Sequence, residues 1–215
     1  SLLSKLKKPL MTGVMAAGLL ITPIKGNAIR LNDARGLPVN YAELYEKEYS
    51  EGWNYVLKGN AIQSEFQDAS KYNNKAINYF KKKYEKEKTP ELAYILAYTY
   101  YQRAFDEDYE ADAENYFLKS IDICKEQTRE KKTAAFMDLE YFSLHNLVSM
   151  YIKGVEYRPD SNTRKQCKEK ALKYFDKLNL FLEKNREFFN KLSEKDKDFY
   201  TNLTQKIQTK LASIN

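Results

Sequence analysis

Apolar residues recur three and four positions apart along almost the whole chain beyond residue 40, the spacing of one helix face rather than the alternation of a strand. From Tyr41 the stripe runs through Leu44, Tyr45, Tyr49, Trp53, Val56 and Leu57, with Asn40 placed to cap it and Glu43 in the reciprocal position three residues on. Gly59 is expected to end this first helix or let it turn, and a second is expected over about 61–88, with Tyr72, Ala76, Phe80 and Tyr84 in register. Thr89-Pro90-Glu91-Leu92 marks the clearest helix start: a cap residue, a proline at the first helical position and an acid in the first turn. Leu92, Ala93, Leu96, Ala97 and Tyr100 form its inward face, Asp106-Glu107-Asp108 breaks the pattern, and a partner helix follows with Ala113, Phe117, Ser120, Ile121 and Cys124.

A longer helix is expected over roughly 130–153, carrying Ala134, Phe136, Leu139, Phe142, Leu147 and Tyr151, with Gly154 as its C-terminal stop. Residues 155–162, which include Pro159-Asp160, read as a surface loop. A sixth helix contains Ala171, Leu172, Phe175, Leu178 and Leu182, and Ser193 caps a last amphipathic helix through Phe199, Leu203, Ile207 and Leu211. The chain is expected to be all-α.

An alanine followed four residues later by phenylalanine recurs at Ala76/Phe80, Ala113/Phe117 and Ala171/Phe175, each in the second helix of an expected pair. In first helices, Leu96-Ala97 is followed by Tyr100 and Leu147 by Tyr151. A small residue lets two helix backbones approach, and the aromatic one turn later fills the gap beside it. In this packing logic the chain resembles the tetratricopeptide-repeat family over about residues 41–182. The alanines do not keep the family's period of about 34 residues, the excess falling near 106–108 and 155–162, and Trp53 and Leu57 only loosely echo its Trp/Leu/Gly opening. The expected architecture over 41–215 is an irregular helical-hairpin array of about three pairs plus a C-terminal capping helix, with a one-off bundle as the alternative.

The N-terminus breaks the helical-array pattern. Lys5, Lys7 and Lys8 precede an apolar run from Leu10 to Ile21, and Gly26-Asn27-Ala28 then sets small residues at −3 and −1 of a cut before Ile29. A basic stretch, a short apolar core and small-x-small together make a secretory signal peptide, so residues 1–28 are expected to export the chain to a periplasm, cell envelope or medium. The run falls short of the roughly 20 apolar residues a spanning helix needs, and Pro23 interrupts it. An uncleaved N-terminal anchor is the alternative, and would be the chain's membrane contact. Residues 29–40, with Gly36 and Pro38, read as an extended lead-in.

That leader changes the meaning of the charge. The formal net charge is +6, but residues 1–28 hold four lysines and no acid, and the remainder is nearly balanced with acids and bases interleaved, as in Glu194-Lys195-Asp196-Lys197-Asp198. Nucleic-acid binding draws on many unopposed cations through counterion release, so no nucleic-acid partner is expected. Tyrosine is abundant at 18, beside 11 Phe and 1 Trp. Aromatic helix cores account for this, or else a tyrosine-lined groove that grips a peptide, since tyrosine gives a large contact area at low entropic cost.

Candidate chemistry is sparse. His145 is the single histidine and has no clustered Cys or acid at ligand spacing, so no metal is expected. No glycine elbow accompanies a serine, no glycine loop cradles phosphate, and no cofactor is expected. The acids Glu107, Asp108, Glu110, Asp112 and Glu114 read as a solvated loop and helix start, where they favour the helix dipole, rather than as the facing pair a glycosidase needs. Cys124 and Cys167 are either a disulfide or two separately buried thiols.

The expected function is therefore that of an exported, non-enzymatic scaffold binding a protein or peptide on the concave face of stacked helix pairs. By the resemblance, first helices of each pair would meet the partner: Tyr94, Tyr98 and Tyr101 lie off the inward stripe of their helix, and Tyr141 with His145 is the matching pair on the third hairpin. The alternatives are an envelope assembly subunit that homo-oligomerises through Phe188-Phe189 and the Phe199/Leu203/Ile207/Leu211 face, and a cell-wall-active enzyme.

Overall fold

The computed structural model describes residues 41–65, 67–107, 109–129 and 133–214, with side chains from Leu44 onward. The leader over 1–28 and the lead-in over 29–40 lie outside the described residues. Among the described residues every regular element is an α-helix: α1 (Tyr41–Glu48), α2 (Ser50–Ser64), α3 (Ser70–Glu87), α4 (Pro90–Ala104), α5 (Glu110–Thr128), α6 (Ala134–Tyr157), α7 (Ser161–Lys184), α8 (Arg186–Asn190) and α9 (Glu194–Ser213). The all-α expectation holds, and the nine helices form an array compatible with a helical-repeat fold. None of the described helices is long and apolar enough to cross a membrane. The chain divides into two compact units, one ending at Glu140 and the other running from Tyr141, so that the division falls inside α6.

In the first unit consecutive helices pack on one another, α2 on α3, α3 on α4 and α4 on α5. Helix α4 starts where the sequence placed it: Thr89 is its N-cap, its hydroxyl accepting the Leu92 N–H at 3.3 Å, with Pro90 in the first turn. Its buried residues run almost without a break from Leu92 to Thr99, which makes it the central helix of the unit. The core around it is aromatic. Tyr45 meets Trp53 at 5.4 Å and Phe80 at 6.0 Å between centroids, and its hydroxyl donates to the Glu91 carbonyl at 2.6 Å.

Gly59 neither ends a helix nor turns one, because α2 continues through it to Ser64. Its role is close approach. A Cβ at Gly59 would meet Asn73 Oδ1 at 2.5 Å, and one at Gly52 would strike the Tyr79 ring and come within 2.8 Å of Phe80 Cζ. The two glycines, seven residues apart, thus open a seam on α2 into which α3 settles. Gly52→Ala should lower stability by about 1–2 kcal/mol in urea unfolding, because overpacking against the fully buried Phe80 outweighs the better helix propensity of alanine. Unchanged or increased stability would remove the seam as a determinant of the fold.

The single helix expected over 61–88 is two pieces, with α2 ending at Ser64 and α3 beginning at Ser70. A half-buried carboxylate fastens the break. Asp106, just past α4, accepts from Gln63 Nε2 at 2.9 Å, the Ala69 amide at 3.1 Å and Asn73 Nδ2 at 2.8 Å. Burial pushes its pKa up, against the pull of these three N–H donors.

In the second unit α6 runs through Gly154 to Tyr157, so this glycine is not a stop either, and the turn is confined to the residues around Pro159. Asp160 caps α7, accepting the Thr163 amide at 2.7 Å. The inward face of α7 is Cys167, Ala171, Tyr174, Leu178 and Phe181, a strict four-three alternation. Of the apolar residues expected in this helix, Ala171 and Leu178 are buried, whereas Leu172 is exposed and Phe175, the aromatic of the Ala171/Phe175 pair, is half-buried. A tyrosine takes the buried position because its ring stacks on Tyr151, 5.9 Å away and 5° from parallel, while the ammonium groups of Lys170, Lys173 and Lys177 reach over the two rings. Ser193 caps α9 as expected, accepting the Asp196 amide at 3.2 Å.

Candidate functional site

Of the five residues expected to meet a partner, Tyr94, Tyr98 and Tyr101 belong to the first unit and Tyr141 and His145 to the second. Because they are spaced four and three apart, the three α4 tyrosines share one side of the helix and their rings run on from one another, Tyr94 to Tyr98 at 6.4 Å and Tyr98 to Tyr101 at 6.5 Å. The middle ring is interior. Tyr98 is 7% exposed, and its hydroxyl accepts from Asn60 Nδ2 at 3.1 Å and from Gln102 Nε2. Tyr94 and Tyr101 are half-buried: the first sets its ring edge-on to Phe136 at 5.6 Å, the second to Phe105 at 5.1 Å and Phe117 at 5.7 Å. The result is a short aromatic strip, locked from behind, with its two end rings partly open.

Tyr141 and His145 are not groove residues. Tyr141 is fully buried, its ring edge-on to Tyr200 at 4.7 Å and its hydroxyl 3.2 Å from the Tyr200 carbonyl and 3.0 Å from Thr204 Oγ1. His145, one turn on, stacks at 5.9 Å from Tyr141. Burial, assisted by the charge of Lys210, presses its pKa down to about 4, so the imidazole is neutral at physiological pH. The expectation failed because α9 supplies a cover for this side of α6 that spacing within α6 alone could not reveal. The same packing occupies the face proposed for self-association: Phe199 lies 6.2 Å from Phe142, and Ile207 and Leu211 are buried.

Among the carboxyls of the first unit whose pKa burial raises, Glu140 is moved furthest into the neutral range. Glu140 is 4% exposed, and burial lifts its pKa to about 7, with Lys125 pulling it down and Asp122 pushing it up. Cys124, on the same helix as both, is fully buried, and burial together with the Glu140 charge raises its thiol well above the ordinary range. Cys124 and Cys167 are two separately buried thiols, not joined in a disulfide. No group of three or more His, Cys, Asp or Glu that could hold a metal occurs among the described residues.

The second unit contains an open cavity of about 330 Å³ between the end of α7, α8 and the first half of α9. Leu182, Phe189 and Tyr200 give it an apolar floor, and Asn190, Thr201, Thr204, Gln205 and Lys197 surround them. The floor is braced by edge-to-face contacts, Phe189 with Tyr200 at 5.2 Å and with Phe181 at 5.9 Å. Sequence reasoning noticed Phe188-Phe189 but assigned the pair to an interface between copies. No periodic signal ties Asn190 on a five-residue helix to Gln205 on the next. Compared with protein-family models, curated proteins and solved structures, the chain matches none.

Proposed function

We propose that this chain is an exported, non-enzymatic scaffold of the tetratricopeptide-repeat kind that binds a protein or peptide partner. The observation that carries the reading is the strip on α4: three contiguous tyrosines in which Tyr98 is held by Asn60 and Gln102 while Tyr94 and Tyr101 keep part of their rings open. Rigid, half-open aromatic side chains are the anchors protein interfaces favour, because little rotamer freedom remains to be lost on contact. The packing of consecutive helices and the small-then-aromatic pairs Ala76/Phe80 and Ala113/Phe117, buried in the first unit, support the repeat-like reading. The basic-apolar-small order of residues 1–28 supports export.

A photo-crosslinking residue placed at 94 or 101, with exposed Lys81 as control position, tests the binding reading in the native host. Adducts of one defined mass from 94 and 101 and none from 81 are expected. An equal yield from all three positions, or none from 94 and 101, would overturn it, and an adduct of twice the chain mass would assign the strip to self-association. The N-terminus of the recovered protein is expected at Ile29; a cytoplasmic chain that keeps residues 1–28 removes export.

A further inference from the structure

We propose that the cavity between α7, α8 and α9 is an anchor site for one large apolar side chain of a bound peptide, whose flanking backbone amides meet the rim side chains of Asn190 and Gln205. This rests on the reading of the chain as a peptide-binding scaffold, and gives that scaffold a second contact point, in the second unit.

The lining selects the ligand class. A volume of about 330 Å³ lies at the small end of ligand sites, enough for a side chain with its adjoining peptide groups. No carboxylate lines it, so a cationic group would enter without a counter-charge. Its one cation is already engaged, since Lys197 Nζ donates to Glu194 Oε1 at 2.7 Å, which weakens the attraction for an anion. One of the hydroxyls is engaged too: Thr204 Oγ1 donates to the Tyr200 carbonyl at 2.9 Å. What remains is an apolar floor of Leu182, Phe189 and Tyr200 beside the amides of Asn190 and Gln205 and the hydroxyl of Thr201. A primary amide carries both donors and an acceptor, and so matches a peptide bond in both directions. The floor is already in place, with Tyr200 held against Tyr141 and Phe189, so little ordering cost falls on binding.

The test uses the full chain, isotopically labelled, and N-acetyl-phenylalaninamide as probe, with N-acetyl-lysinamide and glucose as comparators. Saturable shifts of the Asn190, Thr201 and Gln205 resonances by the capped phenylalanine alone are expected, at millimolar affinity. Thr201→Phe, which fills the mouth, should weaken binding by about tenfold or more at an unchanged melting temperature. Should that variant fail to fold, Gln205→Ala, at an exposed position, carries the test with an expected loss of several-fold. Absence of saturable shifts, an equal response to the capped lysine, or binding untouched by the substitutions would overturn the anchor. Response to glucose in place of the capped phenylalanine would overturn it in favour of a hydroxylated-ring site. The crosslinks from positions 94 and 101 separate the two failures: adducts without probe binding sink the anchor alone, whereas probe binding without adducts sinks the scaffold reading on which it rests.

Discussion

Tyr141→Ala is expected to cost about 3–5 kcal/mol of stability, the range for emptying a fully buried aromatic position. Three packing losses combine there: the edge-on contact with Tyr200, the stacking on His145 and the neighbouring Phe142 ring. The Thr204 hydroxyl would also lose its partner at 3.0 Å. Tyr141→Phe keeps the ring and removes that hydroxyl, and should cost about 1 kcal/mol. Urea unfolding of both variants checks the pair. If Tyr141→Ala left stability unchanged and weakened partner capture instead, the residue would be a contact residue after all, and the placement of α9 over α6 would be wrong.

The second large effect is a pH dependence that the intact protein hides. Glu140 has a folded pKa of about 7 against an ordinary 4.5, so the folded state holds its proton more tightly than the unfolded one. Its contribution to stability is fully present below pH 4.5 and is lost as pH rises through 7, by about 3 kcal/mol in all. His145 runs the other way. With a folded pKa of about 4 against an ordinary 6.5, its contribution is present above pH 6.5 and is lost as pH falls toward 4. Between pH 7 and pH 5 each term amounts to about 2 kcal/mol, with opposite sign. Glu140→Gln, which mimics the protonated acid, should therefore stabilise the protein by about 3 kcal/mol at pH 8 and leave it nearly unchanged at pH 4. In that variant stability should fall on acidification from pH 7 to pH 5, because the histidine term is no longer opposed by Glu140. No gain at pH 8 would show that the Glu140 carboxyl is solvated, and a flat profile in Glu140→Gln would show that the His145 imidazole is.

What the sequence made legible follows from the range of the signals. Helix starts are local: the Thr89-Pro90 and Ser193 caps depend on an oxygen and an amide two or three residues apart, and both sit where the pattern put them. Helix stops were misread at Gly59 and Gly154, since a glycine has two uses and only the partner helix decides between them. At Gly59 that partner is Asn73, on a different element. On α7 the apolar pattern picks out Ala171 and Leu178 but passes over Tyr174 for the more apolar Leu172 and Phe175, whereas a tyrosine stacked on Tyr151 and flanked by lysines is the better buried residue here. The site residues divided in the same way. Tyr94 and Tyr101 sit off the inward stripe of α4 as expected and remain partly open, while Tyr98, Tyr141 and His145 are closed over by partners distant in sequence. The cavity was invisible because its walls come from three helices with no shared period.

The distribution of sulfur has a use of its own. One thiol lies in each compact unit, Cys124 in the first and Cys167 in the second, and both are buried and outside any disulfide. A thiol reagent can reach either one only when the helices around it part. The protein thus carries two internal clocks: the rate at which each sulfur is labelled times the opening of its own half of the chain, in the unmutated molecule.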